Sequence, residues 1–301
     1  MKNWKVLVTG SSGFVGRYMV DELEHQGAEV FTCDVKDGGD MLAVLPQIED
    51  RFDLVVHLAY KTGGRRVING SPMNLAANTA LDALLFQWAV ETKQKRVLYF
   101  SSAAAYPISF QQGGSGDIAL SEEMIEYGSA GEPDSNYGWA KLTGERMAYA
   151  AIASGLRAFI VRPFSIYGDG QSTEYPFPAF AKAIKNWNAR VDVWGDAEQV
   201  RDFIHVTDVV KGALEVVRQD VDSPVNLCTG IGTPLTKLIG MMSREVDHYP
   251  IVRVLKDMPM GVRHQVGDPK LFESIYQSRV GLSWFVRRAM RWTAPVARPK
   301  P

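Results

Sequence analysis

With 46% hydrophobic and 22% charged residues, the 301-residue chain can build a sizeable core and is long for one simple domain. Its 33 basic and 34 acidic side chains leave a formal net charge of −1, which argues against nonspecific binding to nucleic acid or anionic membrane. No apolar run is long enough to span a bilayer and no secretory leader precedes the first strand. The cysteines, Cys33 and Cys228, sit apart in apolar runs, and the five histidines show no metal-ligand spacing. A reduced, cytoplasmic compartment is expected, with no disulfide framework and no metal.

Lys5 to Thr9 is apolar and β-branched and predicts a buried strand. Gly10, Gly13 and Gly16 follow at three-residue spacing. Phe14 to Gln26 then predicts a helix, with Val15, Met19, Val20 and Leu23 on one stripe. Strand, glycine turn and helix are the setting of a dinucleotide-binding motif. Gly10 permits the tight turn, Gly13 lets the backbone approach a pyrophosphate, and Gly16 lets helix and strand pack closely. Free N–H groups at the helix start, from Phe14 and Val15, receive the phosphates. The next predicted strand, Glu29 to Cys33, ends at Asp34. A carboxylate there accepts the ribose hydroxyls of NAD and repels the extra phosphate of NADP. Asp40 and Met41 are placed to edge the adenine. Leu54 to Ala59 predicts another strand, with Leu58 and Ala59 facing the cofactor. His57 within it reads as a packed, hydrogen-bonded core residue.

Lys95 to Ser102 predicts a strand that runs out at the same end of the sheet. Tyr137 and Lys141 stand one helical turn apart on a predicted helix and share a face. An ammonium there would favour phenolate and lower the tyrosine pKa. Tyr137 could then take a substrate hydroxyl proton while NAD takes the hydride, with Ser102 hydrogen-bonding the same oxygen.

In content and order these segments resemble the extended short-chain dehydrogenases/reductases, specifically the NAD-dependent nucleotide-sugar epimerase/dehydratase family. The likeness covers nearly the whole chain. It rests on the glycine turn, His57-Leu-Ala59, Phe100-Ser-Ser102, Tyr137-Gly-x-x-Lys141, Arg162-Pro-Phe-Ser-Ile-Tyr-Gly168, the Gly195 to Val206 run and Asn226-Leu227. The resemblance implies a catalytic triad of Ser102, Tyr137 and Lys141, with Lys141 also on the nicotinamide ribose and Asn78 beside the cofactor. It implies a nucleotide-diphosphate sugar as substrate, its diphosphate clamped by Arg201 and Arg263. Guanidinium forks onto phosphate oxygens; the alternative for Arg201 is a structural pair with Asp202. Ser165 and Pro178 are implied at the substrate and Asp268 at the nucleotide ribose.

Ser101 to Pro107, Glu132 to Tyr137 and the Arg263 segment are similar to GDP-mannose 3,5-epimerase. The departure is Ala104. That epimerase has a cysteine at the matching place, and the 4,6-dehydratases have an Asp-Glu pair at the places of Ala103 and Ala104. Alanine carries no proton, so chemistry at C3 or C5 lacks its usual acid/base. A 4-epimerase is therefore expected, with 3,5-epimerase, 4,6-dehydratase, C4 reductase or a non-catalytic NAD-binding scaffold as alternatives. Glu122, Glu123 and Glu126 read as solvated loop carboxylates. Ser165 stands where many 4-epimerases have asparagine, and Leu81-Asp82 replaces a common Gly-Thr pair.

Alternating strands and helices predict a Rossmann-type doubly wound parallel sheet with a smaller C-terminal substrate-binding lobe. The NAD-binding domain is expected over 1–168, completed by about 206–228, and the substrate lobe over 169–205 and 229–301. Helices are predicted at Ala179 to Asn186, Thr207 to Arg218 and Trp284 to Trp292, with a frayed tail at 297–301. The Gln111 to Ser135 stretch reads as an active-site loop. Helices near Met73 to Thr92 and Tyr137 to Ser154 carry more apolar surface than one sheet face needs, as at Leu81, Leu84, Leu85, Trp88, Met147 and Ile152. A homodimer pairing these helices is expected.

Overall fold

The computed structural model describes residues 1–113, 118–129 and 131–291. The chain forms, in order, β1 (Lys5–Thr9), α1 (Phe14–His25), β2 (Glu29–Cys33), α2 (Met41–Val44), β3 (Leu54–His57), α3 (Arg65–Gly70), α4 (Asn74–Glu91) and β4 (Arg96–Phe100). Then come α5 (Ser135–Ala153), β5 (Arg157–Pro163), β6 (Ser165–Tyr167), α6 (Pro176–Lys185), β7 (Arg190–Trp194), β8 (Val200–His205), α7 (Val206–Arg218) and β9 (Val225–Leu227). Last are β10 (Gly232–Pro234), α8 (Leu235–Val246), β11 (Ile251–Leu255), β12 (His264–Gln265), α9 (Lys270–Ile275) and α10 (Leu282–Arg291).

The main sheet has six parallel strands in the order β2-β1-β3-β4-β5-β9. Period-two alternation sends neighbouring side chains of one strand into different cores. Val6, Val8, Leu54 and Val56 join Met19 and Leu23 of α1 and Val209 and Ala213 of α7 on one face. Leu7, Val55, Val97 and Tyr99 join Leu85 and Trp88 of α4 and Ala148 of α5 on the other. The doubly wound parallel sheet read from the sequence is the observed fold.

The chain runs from β1 out to β2 and then back past β1 to β3. Strand order therefore reverses between β1 and β3, where open α/β sheets bind ligands. A separate core holds Tyr167, Phe177, Phe180, Leu238, Met242 and Phe285 together, drawn from β6, α6, α8 and α10. Residues 292–301 lie outside the described residues, including Trp292 of the predicted last helix and the predicted tail. So do residues 114–117 and 130 of the predicted active-site loop.

The predicted apolar surplus on α4 and α5 is corrected by the packing. Leu85 and Trp88 are buried in the sheet core, and Leu81, Leu84, Met147 and Ile152 lean on it. The large apolar residues left outward on α5 are Trp139 and Tyr149, 40% and 37% exposed.

Candidate functional site

The site starts at the tip of β1. Gly10 has φ +70°, and a side chain there would run into Leu58 and the Ala59 backbone nitrogen at 2.5 Å. A Cβ on Gly16 would strike the Gly10 carbonyl, so both glycines are dictated by close backbone approach. Gly13 begins α1, no side chain caps that end, and its first turn carries no acid. The leading N–H groups of α1, including those of Phe14 and Val15, are thus left for an anion, which fits a dinucleotide pyrophosphate. Asp34 lies beside this loop and accepts from the Ser12 N–H at 3.1 Å and from the Lys36 N–H at 2.9 Å.

The other expected cofactor residues have structural jobs. Asp40 caps α2 through the Leu42 N–H at 3.1 Å, and the Met41 side chain is buried in the core. Strand β3 ends at His57, short of the predicted Ala59. The N–H groups of Leu58 and Ala59 turn to the Thr9 hydroxyl at 3.3 Å each. The Asn78 amide is committed to the Lys61 backbone, accepting at 2.7 Å and donating at 3.0 Å. It therefore shapes the loop after β3. His57 is a buried core residue, hydrogen-bonded to Thr9 and Asp82.

Ser102 ends the run out of β4 and accepts from the Ala104 N–H at 3.1 Å. Across from it on α5, the Tyr137 phenol stands near the Ser102 and Thr62 hydroxyls. The expected lowering of the Tyr137 pKa is overturned. Burial raises it, Tyr175 raises it further, and the nearby Ser102 and Thr62 hydroxyls only partly offset this. Lys141 does share the helix face, but its ammonium donates to the Phe100 carbonyl at 2.7 Å and lies 3.2 Å from the Tyr60 ring centroid. It stands 5.9 Å from the centre of the Tyr137 ring. Burial brings the Lys141 pKa down to about 8, against the pull of Asp82 and Glu145.

Arg201 is not paired with Asp202. That carboxylate accepts from Thr229, Gly230 and Gly267, leaving Arg201 on the other side of β8. Arg201 instead approaches Arg65. A Cβ on Gly261 would lie 2.6 Å from one Arg65 nitrogen and 3.1 Å from one of Arg201. Burial and Arg65 bring the Arg201 pKa down to about 10, and Asp134 opposes them. Arg65 is held bidentately by Asp134, just before α5, at 2.8 and 2.7 Å. Arg263 precedes β12, which pairs with β8, and donates to Asp196 at 3.1 Å. Asp268 is turned to the backbone and side chain of Lys270, both at 3.0 Å. Ser165 stands on β6 and Pro178 in the first turns of α6.

Glu122 corrects its reading as a solvated carboxylate. It is half-buried and accepts from the Asn226 N–H at 2.9 Å, and burial raises its pKa. Among the described residues, the side chains of Glu123 and Glu126 accept from nearby Ser121 and Ser129 at the surface. Sequence reasoning missed Tyr60, Thr62, Arg65 and Tyr175. Tyr60 and Thr62 lie on the loop after β3, which has no periodicity to read, and Arg65 opens the short helix α3 that follows it. The Gly63-Gly64 pair was the available sign, because Gly64 packs against Glu174, next to Tyr175. Among the described residues no cluster suited to a metal ion occurs, and no helix is long and apolar enough to cross a membrane.

The arrangement thus joins a glycine turn with an uncapped helix start to a half-buried Tyr137 and Ser102 and a buried Lys141. Comparisons with known proteins agree with it. GDP-mannose 3,5-epimerase of Arabidopsis thaliana is 27% identical over 296 residues, covering 90% of this chain and 77% of the relative. GDP-6-deoxy-D-talose 4-dehydrogenase of Aggregatibacter actinomycetemcomitans is 28% identical and covers 88% of each chain. The structure of MoeE5 with UDP-glucuronic acid and NAD superposes with a TM-score of 0.83 at 28% identity, covering 96% of this chain and 98% of that one. The sequence model of the NAD dependent epimerase/dehydratase family matches residues 6–228, strand β1 through β9. The glycine turn, the Ser102, Tyr137 and Lys141 set and these matches make the chain an enzyme of the NAD-dependent epimerase/dehydratase family, with NAD as its cofactor.

Proposed function

We propose that the protein is a nucleotide-sugar 4-epimerase, which oxidises the sugar C4 hydroxyl to a transient ketone and reduces it again on the opposite face. The observation that carries this reading is the pairing of an intact Ser102, Tyr137 and Lys141 set with alanine at 103 and 104. The Ala104 carbonyl accepts from the Asp134 N–H at 3.1 Å, so this segment lines the entry to α5 but offers no side-chain acid or base.

Hydride acceptance at C4, and the positive charge of the oxidised ring, are what NAD supplies when bound. In the proposed reaction Ser102 holds the C4 oxygen. Tyr137 would act as phenolate, once the positive charges of Lys141 and the bound oxidised ring offset the burial that raises its pKa, taking the C4 hydroxyl proton and returning it when the hydride goes back. Lys141 places a buried positive charge behind them. Gly10, Gly13, Phe14, Val15 and Gly16 hold the pyrophosphate and Asp34 the adenosine ribose. Arg201 and Arg263 take the substrate diphosphate, and the convergence of Arg65 on Arg201 supports an anion at that point. The substrate class is also supported by relatives named for GDP- and dTDP-sugars and by the MoeE5 complexes with UDP-glucuronic acid and UDP-glucose.

We assign the NAD-binding domain to 1–168 with 206–228 and the substrate lobe to the remainder, supported by the pairing of β9 with β5. A homodimer through the outer faces of α4 and α5 is proposed, supported by the exposed Trp139 and Tyr149. A cytoplasmic setting is supported by two free, buried thiols.

The test is to incubate the NAD-loaded protein with UDP- and GDP-linked hexoses, pentoses and uronates and separate the products by chromatography. Appearance of a C4 epimer from any of them is expected; no exchange with all of them sinks the reading. A 3,5-epimerase is the second reading, favoured by Tyr175, a further half-buried phenol beside Thr62 that acts on the Tyr137 phenol.

A further inference from the structure

A buried polar chain runs beneath Lys141. Thr9 accepts from two backbone N–H groups, so its own hydroxyl donates to His57 Nδ1 at 2.8 Å. The proton of that imidazole is therefore on Nε2, which donates to Asp82 Oδ1 at 3.0 Å. The other Asp82 oxygen accepts from the hydroxyls of Tyr60 at 3.1 Å and Tyr99 at 2.9 Å. Asp82 is fully buried, and burial keeps His57 neutral. All three donors to this carboxylate are thus uncharged. Among the described residues the cation that acts on it is Lys141, whose ammonium lies over the face of the Tyr60 ring whose hydroxyl donates to Asp82.

The sequence is built around this arrangement. Asp82 stands where the resembling family has the threonine of a Gly-Thr pair. On α5, Gly144 leaves the room it needs, since a Cβ there would strike the Tyr99 hydroxyl and the Asp82 carboxylate. The Lys141 ammonium has one carbonyl partner, Phe100, and an aromatic face. A desolvated ammonium over a ring is held electrostatically by the ring quadrupole.

We propose that Tyr60 and Asp82 form a seat for the Lys141 ammonium. The Tyr60 ring fixes where the cation sits, and Asp82 anchors that ring and supplies the countercharge that keeps the lysine protonated. Both are positioning residues, acting through Lys141. Their importance for catalysis rests on the proposed role of Tyr137 and Lys141, but the seat itself does not.

The test is a pH titration by NMR of the whole chain carrying 13Cε-lysine, with the Lys141 signal identified by its loss in Lys141→Arg. Groups facing Lys141 are Asp82 on α4, Glu145 and Tyr137 on α5, Tyr99 on β4, His57 on β3 and Tyr60. Asp82→Asn should move the Lys141 midpoint down by about one pH unit. Tyr60→Leu should move it down as well, and Tyr60→Phe, which keeps the ring but loses its hydroxyl bond to Asp82, should move it less. An unmoved midpoint in folded Asp82→Asn would overturn the proposal and leave Asp82 a packing residue. Should that variant not fold, equal midpoints in Tyr60→Leu and Tyr60→Phe would overturn it instead. No substrate enters the titration, so its outcome is separate from that of the epimerase assay.

Discussion

Helix α5 carries two buried charges one turn apart, Lys141 and Glu145, and the protein holds them differently. Glu145 meets Arg162 in a two-pronged ion pair at 3.0 and 2.8 Å, with the Ser101 and Tyr127 hydroxyls completing its shell. Arg162 donates onward to Tyr106 at 3.1 Å and to the Glu122 carbonyl at 2.9 Å. Burial would raise the Glu145 carboxyl, but Arg162 holds it below the usual range. Among the described residues Lys141 has no carboxylate in contact; it lies over the face of the Tyr60 ring, whose hydroxyl donates to Asp82. The paired charge locks the Ser101-Ser102 segment to α5, whereas the unpaired one stays close to its titration point. Structural and chemical charges sit side by side on one helix and differ in how completely they are compensated.

The comparison can be broken by mutation. The largest effect is expected on the chemical side: Tyr137→Phe should lower kcat by about 10²–10⁴-fold, with NAD binding and thermal stability unchanged. Retained turnover would remove Tyr137 from the reaction. On the structural side, Arg162→Met leaves Glu145 buried and unpaired and should cost roughly 3–5 kcal/mol, measured by urea unfolding.

Lys141 should behave in the opposite sense. Its folded pKa of about 8 lies below the ordinary 10.5, so between those values the unfolded chain binds a proton that the folded chain has released. Stability contributed by this site therefore rises with pH across that window. Relative to Lys141→Met, wild type should gain on the order of 3 kcal/mol of stability between pH 8 and pH 10.5. Denaturant melts at pH 7 and pH 10 check this; the absence of a relative gain contradicts it. The smallest effect lies away from α5. Asp34→Ala should weaken NAD binding about tenfold in a fluorescence titration and affect NADP less.

Much of this was legible in the sequence, for physical reasons. The β-branched runs at Lys5 and Leu54 form buried strands because they face cores on both sides. Gly10 and Gly16 were readable because backbone approach admits no other residue. The four-residue spacing put Tyr137 and Lys141 on one face, yet it gave no sign of where the ammonium would point. That direction comes from Tyr60, on a loop without periodicity, and from Asp82, which sequence reading marked as a departure without finding its partners. Tyr175 and Arg65 were hidden for a similar reason. They join the site through the packing of Gly64 on Glu174 and the Arg65 pair with Asp134, contacts between segments far apart in the chain.

The most direct measurement of the central claim is proton NMR of the NAD-loaded enzyme in deuterated water with UDP- and GDP-sugars in turn. Inversion at C4 with no deuterium in the recovered sugar is the predicted result, because hydride leaves and returns within one site. Deuterium at C3 or C5, or loss of water, would contradict the account and show that a second acid/base acts where Ala104 supplies none.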